Sequence, residues 1–75
     1  MNPKNIIDLH GVRHEWVEEV LEKGLLGYHD TQGWIIITGN SPLMIEIVEN
    51  WLSRHWFSWV REDHNYGRII LTEDW

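Results

Sequence analysis

The chain has no cysteine, so neither disulfides nor thiolate zinc sites can brace it. Its 75 residues must hold together by packing alone. Cations are scarce too: six Lys and Arg stand against 12 Asp and Glu, a formal net charge of −6. Lys4, Arg13, Lys23, Arg54, Arg61 and Arg68 are scattered, with no basic run. Nucleic-acid affinity rests largely on cations meeting phosphates, so this balance excludes a strong non-specific binder. No apolar run reaches bilayer length, and residues 1–9 lack a signal-peptide core, which excludes a membrane partner. Residues 1–75 therefore read as one soluble domain, and the missing cysteine fits a reducing cytoplasm. No linker, repeat or low-complexity segment divides it.

What the chain does have is concentrated between Trp34 and Leu52. Trp34 to Ile37 is a continuous apolar run. It suits a central strand covered on both faces, or one whose partly open face carries apolar side chains. Thr38-Gly39-Asn40-Ser41 breaks the run, and Ser41-Pro42 starts a helix, with serine as N-cap and proline at the first helical position. Met44, Ile47, Val48, Trp51 and Leu52 then fall at helical spacing on one stripe.

The rest is arranged around this unit. Asn5 to His10 reads as a first strand, with Ile7 and Leu9 on one face and Ile6, Asp8 and His10 on the other. Gly11 ends it. Arg13 to about Lys23 reads as a helix with Val17, Val20, Leu21 and Leu25 buried, no good N-cap, and either a C-terminal stop at Gly24 with Leu25 after it or a continuation to Leu26. Gly27 to Gly33 is a polar loop. Phe57 to Glu62 reads as a third strand, Asp63 to Gly67 as a turn, and Arg68 to Thr72 as a last strand. The order is β-α-β-α-β-β. The first two strands should be parallel through a right-handed crossover and the last two antiparallel. With both helices on one face, the fold is a two-layer α/β sandwich with a four-stranded sheet.

Two motifs in that order carry a resemblance. Asp8-Leu9-His10-Gly11 closes the first strand, and Ile-Ile-Ile-Thr-Gly-Asn-Ser leads into a helix ending in Trp-Leu. Together they resemble the signatures of small MutS-related (Smr) domains, over residues from about Ile6 to Thr72. The likeness is nearest to short stand-alone members, some from phages, that carry Gly-Asn-Ser at this point. The resemblance implies a mixed sheet of order 1-2-4-3, similar to the C-terminal domain of translation initiation factor three. It also implies binding of structured DNA or RNA and, as in several Smr domains, an endonuclease activity that nicks DNA or cleaves RNA. Carried over, Asp8 and His10 would be catalytic. Gly11, Thr38, Gly39, Asn40, Ser41, Gly67 and Arg68 would contact nucleic acid. The chain departs from the family where Asn40 replaces a basic residue, Ser41 replaces a second glycine, and Ile45 stands where arginine is usual.

The residues support that carry-over in part. A carboxylate beside an imidazole can orient it for general acid/base work on a phosphodiester. Equally, Asp8 can accept hydrogen bonds from the next loop while His10 caps the strand end. If strands one and two are neighbours, their carboxyl ends place Asp8, His10 and the Thr38–Ser41 loop on one edge, where ligands of α/β layers sit. Asp8, His10, His14, Asp63 and His64 are the candidate metal ligands. His10 and His14 straddle a strand–helix junction, so the five read as scattered side chains and no metal site is assigned. No cofactor is fixed by the sequence, and a divalent metal is left open.

Six tryptophans are more than so small a core can hide. Trp51 belongs to the core and Trp16 flanks the first helix's stripe. Trp34, Trp56, Trp59 and Trp75 could reach the open sheet face or its rim. There they would stack bases, or bury themselves against each other or in a homodimer interface. The rival to the nucleic-acid reading is thus a non-catalytic interaction domain, homodimeric through a Trp-rich sheet face.

Overall fold

A computed structural model describes residues 5–62 and 67–72. The expected turn at residues 63–66 and Trp75 lie outside the described residues, as do the metal-ligand candidates Asp63 and His64. The elements are β1 (Ile6–Asp8), α1 (His14–Leu25), β2 (Ile35–Ile37), α2 (Pro42–Arg54), β3 (Ser58–Arg61) and β4 (Arg68–Thr72). One sheet of order β1-β2-β4-β3 contains all four strands. β1 runs parallel to β2, and both remaining pairs are antiparallel. This is the expected two-layer α/β sandwich.

The helices form where the apolar stripes lie. Val17, Leu21 and Leu25 of α1 and Met44, Val48, Trp51 and Leu52 of α2 are buried. They pack on the sheet's inner face, where Leu9, Ile36, Ile69 and Leu71 are shut off from solvent. Trp51 is the largest fully buried side chain and lies against Phe57. Removing such an aromatic costs about 3–5 kcal/mol. At the start of α2 the Ser41 hydroxyl accepts a bond from the Met44 N–H at 3.2 Å, with Pro42 as the first helical residue. Arg13, at the start of α1, makes no side-chain cap.

Three points narrow or overturn the sequence expectations. First, α1 takes the longer of its two expected ends, passing Gly24 and running to Leu25 with Leu26 as C-cap. A Cβ at Gly24 would come within 3.0 Å of Ile7 Cδ1, so the glycine lets the helix approach β1 closely. Second, His10 is not a strand residue. Regular pairing ends at Asp8, and His10-Gly11 form a turn closed by the Val12 N–H on the Leu9 carbonyl at 2.9 Å. Gly11 holds φ +82, the left-handed value a type II turn needs at its third position.

The third point concerns the tryptophans. Trp34 has the same strand parity as buried Ile36, and it packs in the core with Tyr28 edge-on to it. Trp59 stands opposite Leu71 and also packs on the core. Among the described residues the open face is therefore not rich in tryptophan. It carries aliphatic side chains instead: Ile6, Ile35, Ile70 and Val60 are register partners across all four strands, in one row. Trp56 is 85% exposed, in the turn after α2.

Candidate functional site

Three segments meet at one end of the sheet. The parallel register carries β1 and β2 out together: Asp8 pairs with Ile37, and the Leu9 N–H donates to the Ile37 carbonyl at 2.8 Å. Asp8–Gly11 and Thr38–Ser41 thus leave the sheet side by side. The antiparallel partner β4 begins at the same end. The Gly67 carbonyl accepts from the Thr38 N–H at 2.6 Å and the Gly39 N–H at 3.3 Å. These backbones are nearly in contact: a Cβ on Gly67 would sit 2.6 Å from the Gly39 carbonyl oxygen. Both glycines hold positive φ, +71 at Gly39 and +87 at Gly67. In the sequence the two belong to separate turns; only the sheet order shows why both are glycine.

The side chains divide between structural and free roles. One Asp8 carboxylate oxygen accepts the His10 backbone N–H at 2.9 Å, an Asx-type bond that shapes the turn. Asp8, His10 and Gly11 are exposed. Thr38 is buried, and its hydroxyl donates to the Gly39 carbonyl at 3.0 Å, so it is part of the loop's frame. Ser41 caps α2 as described. Asn40 is exposed at the loop's tip.

A cleft of about 370 Å³ opens beside this end, lined by Thr38, Asn40, Ile45, Gly67, Arg68 and the Arg61–Glu62 segment. It includes four of the expected nucleic-acid residues but not Asp8, His10 or Gly11. Its charges are paired. Arg61 holds Glu49 of α2 with two bonds, Nε to Oε2 at 2.6 Å and a terminal nitrogen to Oε1 at 2.7 Å. The Trp59 indole N–H adds a third at 3.3 Å. The Arg61 hydrogen bonds hold the Glu49 carboxyl below its ordinary pKa and raise that of Arg61. Partial burial of Glu49 pulls the other way without winning. Arg68 lies 3.8 Å from Glu62. The Arg61–Glu49–Trp59 cluster was not foreseen. Strand parity could have found it, because Trp59 and Arg61 share a face with the core.

The pairing is general. Among the described residues every Lys and Arg has a carboxylate within ion-pair reach: Arg13 with Glu15, Lys23 with Glu19, Arg54 with Glu18, Arg61 with Glu49 and Arg68 with Glu62. Among those residues no three His, Asp or Glu side chains gather in a way that could hold a metal ion. No helix among them is long and apolar enough to cross a membrane. No protein-family profile, curated protein or solved structure matches the chain.

Proposed function

We propose that the chain is a Smr-like domain of the cytoplasm that binds structured DNA or RNA at the sheet end formed by Asp8–Gly11, Thr38–Ser41 and Gly67-Arg68. The observation that carries this reading is the convergence of those segments through the β1-β2-β4 register. Ligands of α/β layers dock beyond the carboxyl ends of parallel strands, and this is such an end. The cations nearby are already paired, so the backbone N–H groups of the glycine loops and the start of α2 would carry much of the phosphate contact. Binding should therefore be weak, and salt should weaken it further.

Phosphodiester cleavage is the activity this site would support. His10 is exposed and would act as the acid/base group. Asp8, through its bond to the His10 backbone, fixes the turn that carries the imidazole. The test is cleavage of structured RNA and branched DNA at low salt, with and without divalent metal. His10→Ala should abolish cleavage while leaving the fold and most binding intact. Asp8→Asn should lower activity less. Cleavage that survives His10→Ala would remove the catalytic role.

The complete pairing of the described cations favours a second reading, a non-catalytic interaction domain. Absence of binding to any nucleic acid at low salt would select it.

A further inference from the structure

Two arginines line the cleft beside the sheet end, and they are held in different ways. Arg61 gives two nitrogens to Glu49 at 2.6 and 2.7 Å, and the Trp59 indole fixes the same carboxylate. That bidentate fork ties β3 to α2. Arg68 has only Glu62. Its guanidinium nitrogen lies 3.8 Å from the Glu62 carboxylate, and it makes no side-chain hydrogen bond among the described residues. The facing oxygen, Glu62 Oε2, is shut off from solvent and accepts no hydrogen bond. A shielded carboxylate oxygen normally has a partner; here the guanidinium stands just out of reach. Resting on the nucleic-acid reading above, we propose that Glu62 is a built-in counter-ion of Arg68, which a phosphate group of the bound strand displaces. The pair then sets how tightly the sheet end holds its ligand.

The backbone fixes where this exchange takes place. The Glu62 N–H donates to the Arg68 carbonyl at 3.2 Å, so the two residues face each other across the β3–β4 ladder. Arg68 also pairs with Ile37, the last residue of β2, directly before the Thr38–Ser41 loop. Gly67, just before it, accepts from the N–H groups of Thr38 and Gly39. Arg68 thus stands at the sheet end and shares the cleft with Asn40. Arg61 pairs with buried Ile69, and its side chain is committed to the helix layer.

Carboxylate and phosphate compete for one guanidinium. A phosphate can take two of its N–H groups at once, whereas Glu62 takes neither at hydrogen-bond distance. Once seated, the phosphate lies close to the Glu62 carboxylate, a like charge. Glu62 therefore lowers affinity twice, by holding Arg68 beforehand and by repelling the phosphate afterwards. Both side chains are partly exposed, so breaking their pair costs little.

Fluorescence anisotropy at low salt, with structured RNA and with branched DNA, tests the proposal on wild type, Glu62→Gln, Arg68→Gln and the double variant. Glu22→Gln serves as the control for net charge, because Glu22 is exposed on α1 and makes no ion pair among the described residues. Circular dichroism should show every variant folded. Glu62→Gln should bind roughly two- to fivefold tighter, the range set by an exposed ion pair. Arg68→Gln should bind more weakly. Adding Glu62→Gln to it should gain no more than Glu22→Gln gains in wild type, since the counter-ion acts only through Arg68. A gain of the same size with and without Arg68 would overturn the proposal, and so would no gain at all. If none of these chains binds nucleic acid, the sheet-end reading fails, and inorganic phosphate is the remaining probe. Amide shifts at Gly67 and Arg68 of Glu62→Gln that vanish in the double variant would then support the counter-ion role, and their absence would overturn it.

Discussion

Single backbone positions explain more of this molecule than its composition suggests. Trp56 has φ +66, the left-handed region that tryptophan rarely adopts. The hydrogen bonds show the cause: the Trp56 N–H donates to the Ser53 carbonyl and the Phe57 N–H to that of Leu52. Those two bonds define the Schellman ending of a helix, in which the residue Trp56 occupies is usually glycine. The left-handed conformation costs a side-chain-bearing residue about 1–2 kcal/mol. Trp56 is 85% exposed and recovers little by packing. Trp56→Gly should therefore stabilise the protein, raising Tm by about 4–8 °C for each kcal/mol regained in a domain of this size. An unchanged or lower Tm would show that the indole makes contacts worth the strain. The glycine pair gives a second expectation. A side chain at Gly39 meets nothing within 4 Å, so Gly39→Ala should lose only the conformational term of about 1–2 kcal/mol. Gly67→Ala carries the same penalty and also drives its Cβ into the Gly39 backbone. Thermal melts should rank Gly67→Ala as clearly the worse of the two.

At the scale of elements, α2 is held to β3 by chemistry as well as by packing. Glu49 on the helix accepts from Arg61 and Trp59 on the strand. The Glu49 pKa is lowered in the folded protein, chiefly by the Arg61 hydrogen bonds. A lowered carboxylate pKa contributes stability above the ordinary value of 4.5, and that contribution is lost as pH falls through the folded value. Denaturant titrations of wild type and Glu49→Gln should thus differ at neutral pH and converge below that value. A constant difference at all pH would mean that Glu49 acts through packing alone. The elements themselves were legible in the sequence. Helical stripes, the Ser41-Pro42 start and the alternation of strands are local signals, and all of them formed. The cross-strand partners were not legible. Period-two alternation says that Trp34 and Trp59 share a face with their second neighbours, but not which face the helices cover. Nothing in the sequence shows where the pairing of β1 with β2 stops, so His10 reads as a strand residue.

For the molecule as a whole, sheet order does what no motif does alone. Asp8–Gly11, Thr38–Ser41 and Gly67 lie far apart in the chain, and the β1-β2-β4 arrangement brings them to one end. Half of that site, the β1–β2 convergence, could be read from the βαβ connection. The contact between Gly39 and Gly67 needed the position of β4. The molecule thus has two surfaces of different character, a polar, glycine-built sheet end and an aliphatic sheet face. Whether nucleic acid binds, and at which of the two, is the central question. An amide NMR titration of the full chain with structured RNA and with branched DNA at low salt answers it. The expected result is that the largest shifts fall on His10, Gly11, Gly39, Asn40, Ser41 and Gly67, and fade as salt is added. Shifts centred on Ile6, Ile35 and Ile70, or no shift with either ligand, would contradict the account.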